Sequence, residues 1–240
     1  MNMFITALLN TDVSFWNVIK KYPDPVLNAG CKEFEIDNRI ISKFVLRELV
    51  PIVGIKPYPL NELMLMTAAV SRHKPTHIFE WGTHIGKSAR IFYEIVKHFH
   101  IPCEIHSIDL PDNVRRKEHP GLLRGLFVKN IREVKLHQGD GLDVSLTLYR
   151  NYKNLHTKVR PLFFLDGDHK YRSVKRELKN IMKYAPEAWI LVHDTFFQSS
   201  QSGYNTGPYR ALQTVLRQTS QKYKILSTNT GLPGMTLLFN

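Results

Sequence analysis

Only two cysteines, Cys31 and Cys103, occur in 240 residues. Neither has a metal-ligand spacing and no disulfide framework can be built from them, so a reducing compartment is expected. Long apolar runs are missing as well. No segment approaches the roughly 20 apolar residues needed to cross a bilayer, and the opening MNMFITALLN has no basic leader. These absences favour a soluble, cytoplasmic protein with no membrane partner. There is no internal repeat, low-complexity tract or convincing linker. Acidic residues are scarce: 21 against 33 lysines and arginines, a net charge of +12. Such a surplus can serve an anionic partner. Yet the basic stretch HKYRSVKRELKNIMK places Tyr171, Val174, Leu178, Ile181 and Met182 on one helical face with its cations opposite. A solvated helix face accounts for that pattern, and no specific nucleic-acid partner is expected.

A full phosphate-binding loop is also absent, although FEWGTHIGKSARI comes close to one. That loop needs four residues between its first glycine and Gly-Lys-[Ser/Thr], because the backbone wraps a whole phosphate. Here Gly82 and Gly86 enclose three, and the position that would restore the spacing is Trp81. The dinucleotide fingerprint G-x-G-x-x-G fails too. What remains is an apolar strand, a tight glycine turn and a helix opened by Lys87 and Ser88. The unit suits a ligand lying against the loop and the helix N-terminus.

From Leu60 onward, helical and strand periods alternate. LNELMLMTAAVSR, KSARIFYEIVKHF, LDVSLTLYRNY, YRSVKRELKNIMKY and GPYRALQTVLRQT read as helices. HIFEW, CEIHSIDL, VKLHQG, PLFFLD, AWILVHD, KYKILST and GMTLLF read as strands. The pattern predicts an α/β, Rossmann-like, doubly wound sheet of seven strands, mostly parallel. The last two strands are separated only by NTGLPG, too short for a helical crossover, so they form an antiparallel hairpin at the edge. Upstream, TDVSFWNVIKKY and DNRIISKFVLRELV read as helices capped by Thr11 or Asp12 and by Asp37. Residues 1–59 form an N-terminal helical extension and 60–240 the main domain. The extension covers the site mouth, packs on the sheet or mediates homo-oligomerisation; the sequence leaves these open.

In open α/β sheets ligands bind at the carboxyl ends of the strands. Those ends carry Glu80-Trp81-Gly82, Asp109, Gly139-Asp140-Gly141, Asp166-Gly167-Asp168-His169 and His193-Asp194-Thr195. A row of acids on one rim of a basic protein is a functional signal. Asp109 is placed to accept hydrogen bonds from two ribose hydroxyls. Glu80 can engage an amino group, and Asp140 an adenine amino group or the start of the next helix as its cap. Asp166 and Asp194 offer oxygens to a divalent cation. His169 and His193 can take a proton near neutral pH, and Tyr204 and Tyr209 are placed to line an acceptor pocket.

In order and content these motifs resemble the class I S-adenosylmethionine-dependent methyltransferases over about Leu60 to Asn240. FEWGTHIGKSARIF resembles the family's first motif and IHSIDL its second. LFFLDGDHKYRSVKREL, ILVHDT and GPYRALQTVL resemble the small-molecule O-methyltransferase branch, cephalosporin hydroxylase-like, with a plan close to catechol O-methyltransferase. The resemblance implies S-adenosyl-L-methionine held by Glu80, Gly82, Thr83, Gly86, Ser88, Asp109, Gly139, Asp140 and Asp166. It also implies a methyl acceptor oxygen on a small molecule, with a sugar or polyketide-like hydroxyl as the expected class. His169, His193 and Asp166 are the candidate catalytic residues. Asp166 and Asp194 are the candidate ligands of a magnesium ion. Two departures bear on that ion: Thr195 follows Asp194 where catechol-type enzymes have asparagine, and His193 occupies a usually acidic position. Histidine is a poorer magnesium ligand than a carboxylate, so metal-assisted and histidine-based proton removal both stay open. Nucleic-acid methylation and a noncatalytic cofactor-binding role are the alternatives. Against the first, DGDH stands where base-methylating enzymes carry an Asn/Asp-Pro-Pro-aromatic loop.

Overall fold

The computed structural model describes residues 38–114, 120–155, 158–199, 201–202 and 204–240. The helix expected at TDVSFWNVIKKY, its cap, Asp37 and Cys31 lie outside the described residues. The described chain opens with α1 (Asn38–Phe44), which runs through a π-helical stretch (Val45–Leu49) into α2 (Val50–Val53). Then follow α3 (Leu60–His73), β1 (His77–Trp81), α4 (Lys87–His98), β2 (Glu104–Asp109) and β3 (Val134–Gln138). The remainder is α5 (Gly141–Asn154), β4 (Pro161–Leu165), α6 (Tyr171–Tyr184), β5 (Trp189–His193), α7 (Gly207–Gln218), β6 (Lys224–Ser227) and β7 (Met235–Phe239).

The seven strands lie in the order β3-β2-β1-β4-β5-β7-β6. β1 to β5 pair in parallel, while β7 runs antiparallel to both β5 and β6. The expected terminal hairpin is therefore present, with its second strand inserted beside β5 and its first left at the edge. The central strands are continuous apolar runs because helices cover both faces. PLFFL shows the consequence: Phe163 packs with Phe79 and the α5–α7 side, whereas Phe164 packs with Phe92 on the α3–α4 side. Both are fully buried, and burying such a side chain is worth about 1.5–3 kcal/mol.

Ile41, Phe44, Leu49 and Val53 join the α3–α4 core, so residues 38–53 pack against α3 and α4. On α6, Val174, Leu178, Ile181 and Met182 are buried, as their spacing predicts. Among the described residues no helix is long and apolar enough to cross a membrane.

Because β1, β2, β4 and β5 are parallel, their carboxyl ends open on one rim. The break in strand order between β1 and β4 leaves a crevice there, the usual ligand position in such sheets. The crevice is formed by the turn after β1, the end of β2 and the loops after β4 and β5.

Candidate active site

The turn after β1 is shaped by Gly82 and Gly86, both in the left-handed region at φ 94° and 83°. A Cβ on Gly82 would stand 2.5 Å from the carbonyl oxygen of Asp166. Glycine is needed here both for its backbone angle and because β1 and β4 approach so closely. Thr83 Oγ1 and Ser107 Oγ lie 2.7 Å apart behind the turn, and the His84 N–H donates to Asp109 Oδ2 at 3.0 Å. The turn is thus fixed to the end of β2.

Two cavities adjoin along the rim. The larger, about 520 Å³, is lined by Thr83, Ser88, Asp166, His169 and Tyr204, among others. The smaller, about 100 Å³, is lined by Trp81, Gly139, Asp140 and Arg176. Gly82, Asp109, Leu110 and Gly167 border both. Asp109 accepts from the N–H groups of His84 and Leu110, with the Arg124 guanidinium 3.5 Å away. Its two oxygens keep unused lone pairs at the junction.

Glu80 lies behind the cavity wall and Asp140 at a helix start. Glu80 is fully buried behind the cavity wall. Ser107 Oγ donates to its Oε1 at 2.5 Å, while its Oε2 has no hydrogen-bond partner among the described residues. Desolvation pushes its pKa up to about 7, opposed by the hydrogen bond from Ser107. A sealed, unpartnered carboxylate oxygen fits an added donor, such as a water or an ammonium group. Asp140 caps α5, its Oδ1 accepting from Leu142 and Asp143, and its Oδ2 takes Arg176 at 2.6 Å. The capping alternative is therefore realised, beside the smaller cavity.

The carboxyl ends of β4 and β5 assemble a charged network. His193 lies between two acids: Nδ1 is 2.8 Å from Asp166 Oδ1, and Nε2 is 3.1 Å from Glu62 Oε2. Glu62 is fully buried and also accepts the Gly234 N–H at 2.8 Å. Tyr58 donates to the other oxygen of Asp166 at 2.5 Å. Burial alone would lower the His193 pKa, but the Asp166 charge and the hydrogen bonds to Asp166 and Glu62 raise it well above the ordinary value.

Asp194, at φ 57°, turns its carboxylate to four partners. Tyr204 donates to Oδ1 at 2.9 Å, Asn205 donates to Oδ2 at 2.7 Å, and His169 Nδ1 is 2.8 Å from Oδ2. His193 Nδ1 stands 3.7 Å from Oδ1. His169 is a third exposed and borders the larger cavity. Asp168 borders the smaller cavity and accepts from Lys170 N and Ser173 Oγ. Tyr209 does not border the larger cavity; its ring packs against Phe197.

Asp166, His193 and Asp194 each offer one ligand atom within 4.8 Å of the others. Glu62 stands behind His193 in the place of a carboxylate that orients a metal-bound imidazole. The donors suit a divalent cation, and their mixture of nitrogen and oxygen suits a first-row transition metal better than magnesium.

Sequence reasoning did not find Tyr58, Glu62 or Asn205. The available signal was a lone acid within the apolar stretch LNELMLM.

The sheet order, the glycine turn and the acidic rim define a Rossmann-like α/β fold with its ligand crevice at the strand ends. Residues 79–195 match a family model described as a methyltransferase domain. No curated protein matches the chain. Its fold is shared with an SAH-bound methyltransferase of Podospora anserina, at TM-score 0.55 and 16% identity, covering 95% of this chain and 93% of that one. It is shared with an SAH-complexed O-methyltransferase of Bacillus cereus, at TM-score 0.53, 13% identity, and 85% and 90% coverage. A third is TomG, an O-methyltransferase of tomaymycin synthesis in Streptomyces achromogenes, solved with SAM, at TM-score 0.52, 15% identity, and 84% and 88% coverage.

Proposed function

We propose that this domain transfers a methyl group from S-adenosylmethionine to a hydroxyl oxygen of a small molecule. The observation that carries the reading is the pair of adjoining cavities meeting at Asp109. An extended cofactor with amino-acid, ribose and adenine parts matches that shape. Asp109 would take the ribose hydroxyls, and Gly82, Thr83, Gly86 and Ser88 the amino-acid end. Glu80 would act from behind that wall through its unpartnered oxygen. Gly139 and Asp140 frame the adenine end. The similar folds solved with SAM or SAH support this reading.

The methyl group is activated by its sulfonium, so the protein has to align the acceptor and remove its proton. We assign the proton to His169. Asp194 holds its Nδ1, which leaves Nε2 as the accepting atom beside the larger cavity. His193 has carboxylates at both nitrogens, so its part is to fix Asp166. Tyr58 and Tyr204 fix the two acids from the other side.

The cluster of Asp166, His193 and Asp194 favours a second reading of proton removal. A divalent cation held there would lower the pKa of the acceptor hydroxyl, with Glu62 keeping His193 in the ligating orientation. The expected acceptor class is a sugar or polyketide-like scaffold, free in the cytoplasm, with no nucleic acid involved.

Methyl-labelled S-adenosylmethionine tests the proposal. Incubation with hydroxylated sugars and polyketide-like compounds, and separately with RNA and DNA, should move label into the small molecules. Label entering RNA or DNA instead would overturn the assignment of the acceptor.

A further inference from the structure

Three histidines lie on neighbouring strands and on one face of the sheet, stepping from its base at His77 through mid-strand His106 to His137. His77 opens β1, His106 lies within β2 and His137 within β3, with Glu104 opening β2 as the register partner of His77. The two-residue alternation puts all four on the face covered by α5, whose Tyr152 ring lies 4.1 Å from that of His77 and 5.7 Å from that of His106. His77 is 5% exposed and His106 1%. Their neighbours on the same face, including Phe79 beside His106 and Ile108 beside His137, are apolar. A buried polar group needs partners or a ligand, and these histidines have a particular arrangement of both.

Each buried imidazole has one nitrogen occupied from behind. His77 Nδ1 is 2.9 Å from Thr76 Oγ1, and His106 Nδ1 is 3.0 Å from His137 Nε2. Thr76 Oγ1 also accepts the Arg160 N–H at 2.9 Å, which fixes its position. This matches the support that metal-binding histidines receive, where a partner on one nitrogen sets ring orientation and leaves the other to ligate. The remaining nitrogen of His106, Nε2, stands 3.6 Å from Glu104 Oε2 and 3.3 Å from Tyr152 Oη, the hydroxyl that a metal would displace from it. Ligand atoms of His77, Glu104 and His106 all lie within 4.8 Å of one another. Two ligands at about 2.0–2.1 Å from a tetrahedral zinc stand roughly 3.3 Å apart, so only a small closure is needed.

We propose that His77, Glu104 and His106 form a structural site for zinc or a similar borderline divalent cation, separate from the rim. Two imidazoles and one carboxylate, with water in the fourth position, are a donor set suited to such a metal. Burial lowers the pKa of His77 and His137 and takes His106 down to about 3, which keeps nitrogen lone pairs free at neutral pH. Glu104 Oε2 accepts from Lys135 Nζ and Tyr152 Oη, both at 2.8 Å. Lys135 therefore neutralises the carboxylate when no metal is bound and moves aside on loading. The Glu104 side chain is 43% exposed, giving the ion its route in. Bound metal would cross-link β1 to β2 beneath α5.

The test is metal uptake by the full chain. Protein stripped with chelator and dialysed against zinc should retain one zinc at this site and melt at a higher temperature. Uptake should persist in the Asp166→Ala, Asp194→Ala double variant and disappear in His77→Ala. X-ray absorption on zinc-loaded wild type reads the ligands without any variant at these strands. Two imidazoles per zinc, seen in the double variant as well, support the site. Failure of the folded wild type to take up zinc overturns it, as does uptake that His77→Ala leaves intact or a spectrum with fewer than two imidazoles.

Discussion

His193 is held between Glu62 and Asp166, acids contributed by α3 and by the end of β4, with 3.1 Å on one side and 2.8 Å on the other. A carboxylate can only accept, so both bonds are complete when both ring nitrogens carry protons. The helix α3 and the rim ends of β4 and β5 are joined through one buried ring.

Removing Glu62 leaves the Nε2 proton of that ring buried without its acceptor, and the Gly234 N–H with it. Glu62→Ala should destabilise the fold by about 3–5 kcal/mol, the usual cost of breaking a buried pair from one side. The His193 pKa is raised in the folded state. Its contribution is therefore full below the ordinary histidine range and fades as pH climbs through the folded value. Melting curves should show wild type losing stability on the alkaline side, with the loss beginning at lower pH in Glu62→Ala. An unchanged pH profile would count against the clamp.

Gly82 has a sharper requirement. With φ at 94° and a Cβ only 2.5 Å from the Asp166 carbonyl oxygen, Gly82→Ala has to push β1 from β4 at the site. Calorimetry should show lost cofactor affinity together with a lower melting temperature. Wild-type affinity in that variant would mean the turn tolerates the side chain.

His169 separates the two routes for the proton. The Asp194 hydrogen bond and the Asp166 charge raise its pKa despite burial. A base must be neutral, so the rate should rise with pH through an apparent pKa above the ordinary 6.5, and Asp194→Asn should shift that rise downward. His169→Ala should lower kcat by about 10²- to 10⁴-fold, with chelator having little effect. Abolition by chelator and rescue by manganese would transfer the role to the Asp166, His193 and Asp194 cluster.

The strands were legible because their apolar runs and turn residues are local signals, and HIFEW forms β1 over the residues read from the sequence. Acids at the strand ends were legible because topology fixes where such ends lie. Glu80 was only half legible. It stands on the rim side of the sheet, yet strand alternation turns it to the Ser107 face, behind the cavity. Tyr58 and Glu62 reach the site across 108 and 131 residues of sequence, through packing that no periodicity records. Asp140 presented two roles of equal local plausibility, and Arg176, 36 residues away, now occupies its second oxygen.

Titration calorimetry of S-adenosylmethionine with wild type and Asp109→Ala tests the central claim most directly. Asp109 joins the two cavities, and hydrogen bonds to a charged group contribute about 1.5–3 kcal/mol. Wild type should bind, and the folded variant should bind at least roughly tenfold more weakly. Equal affinity in the two proteins, or no binding by wild type, would contradict the account.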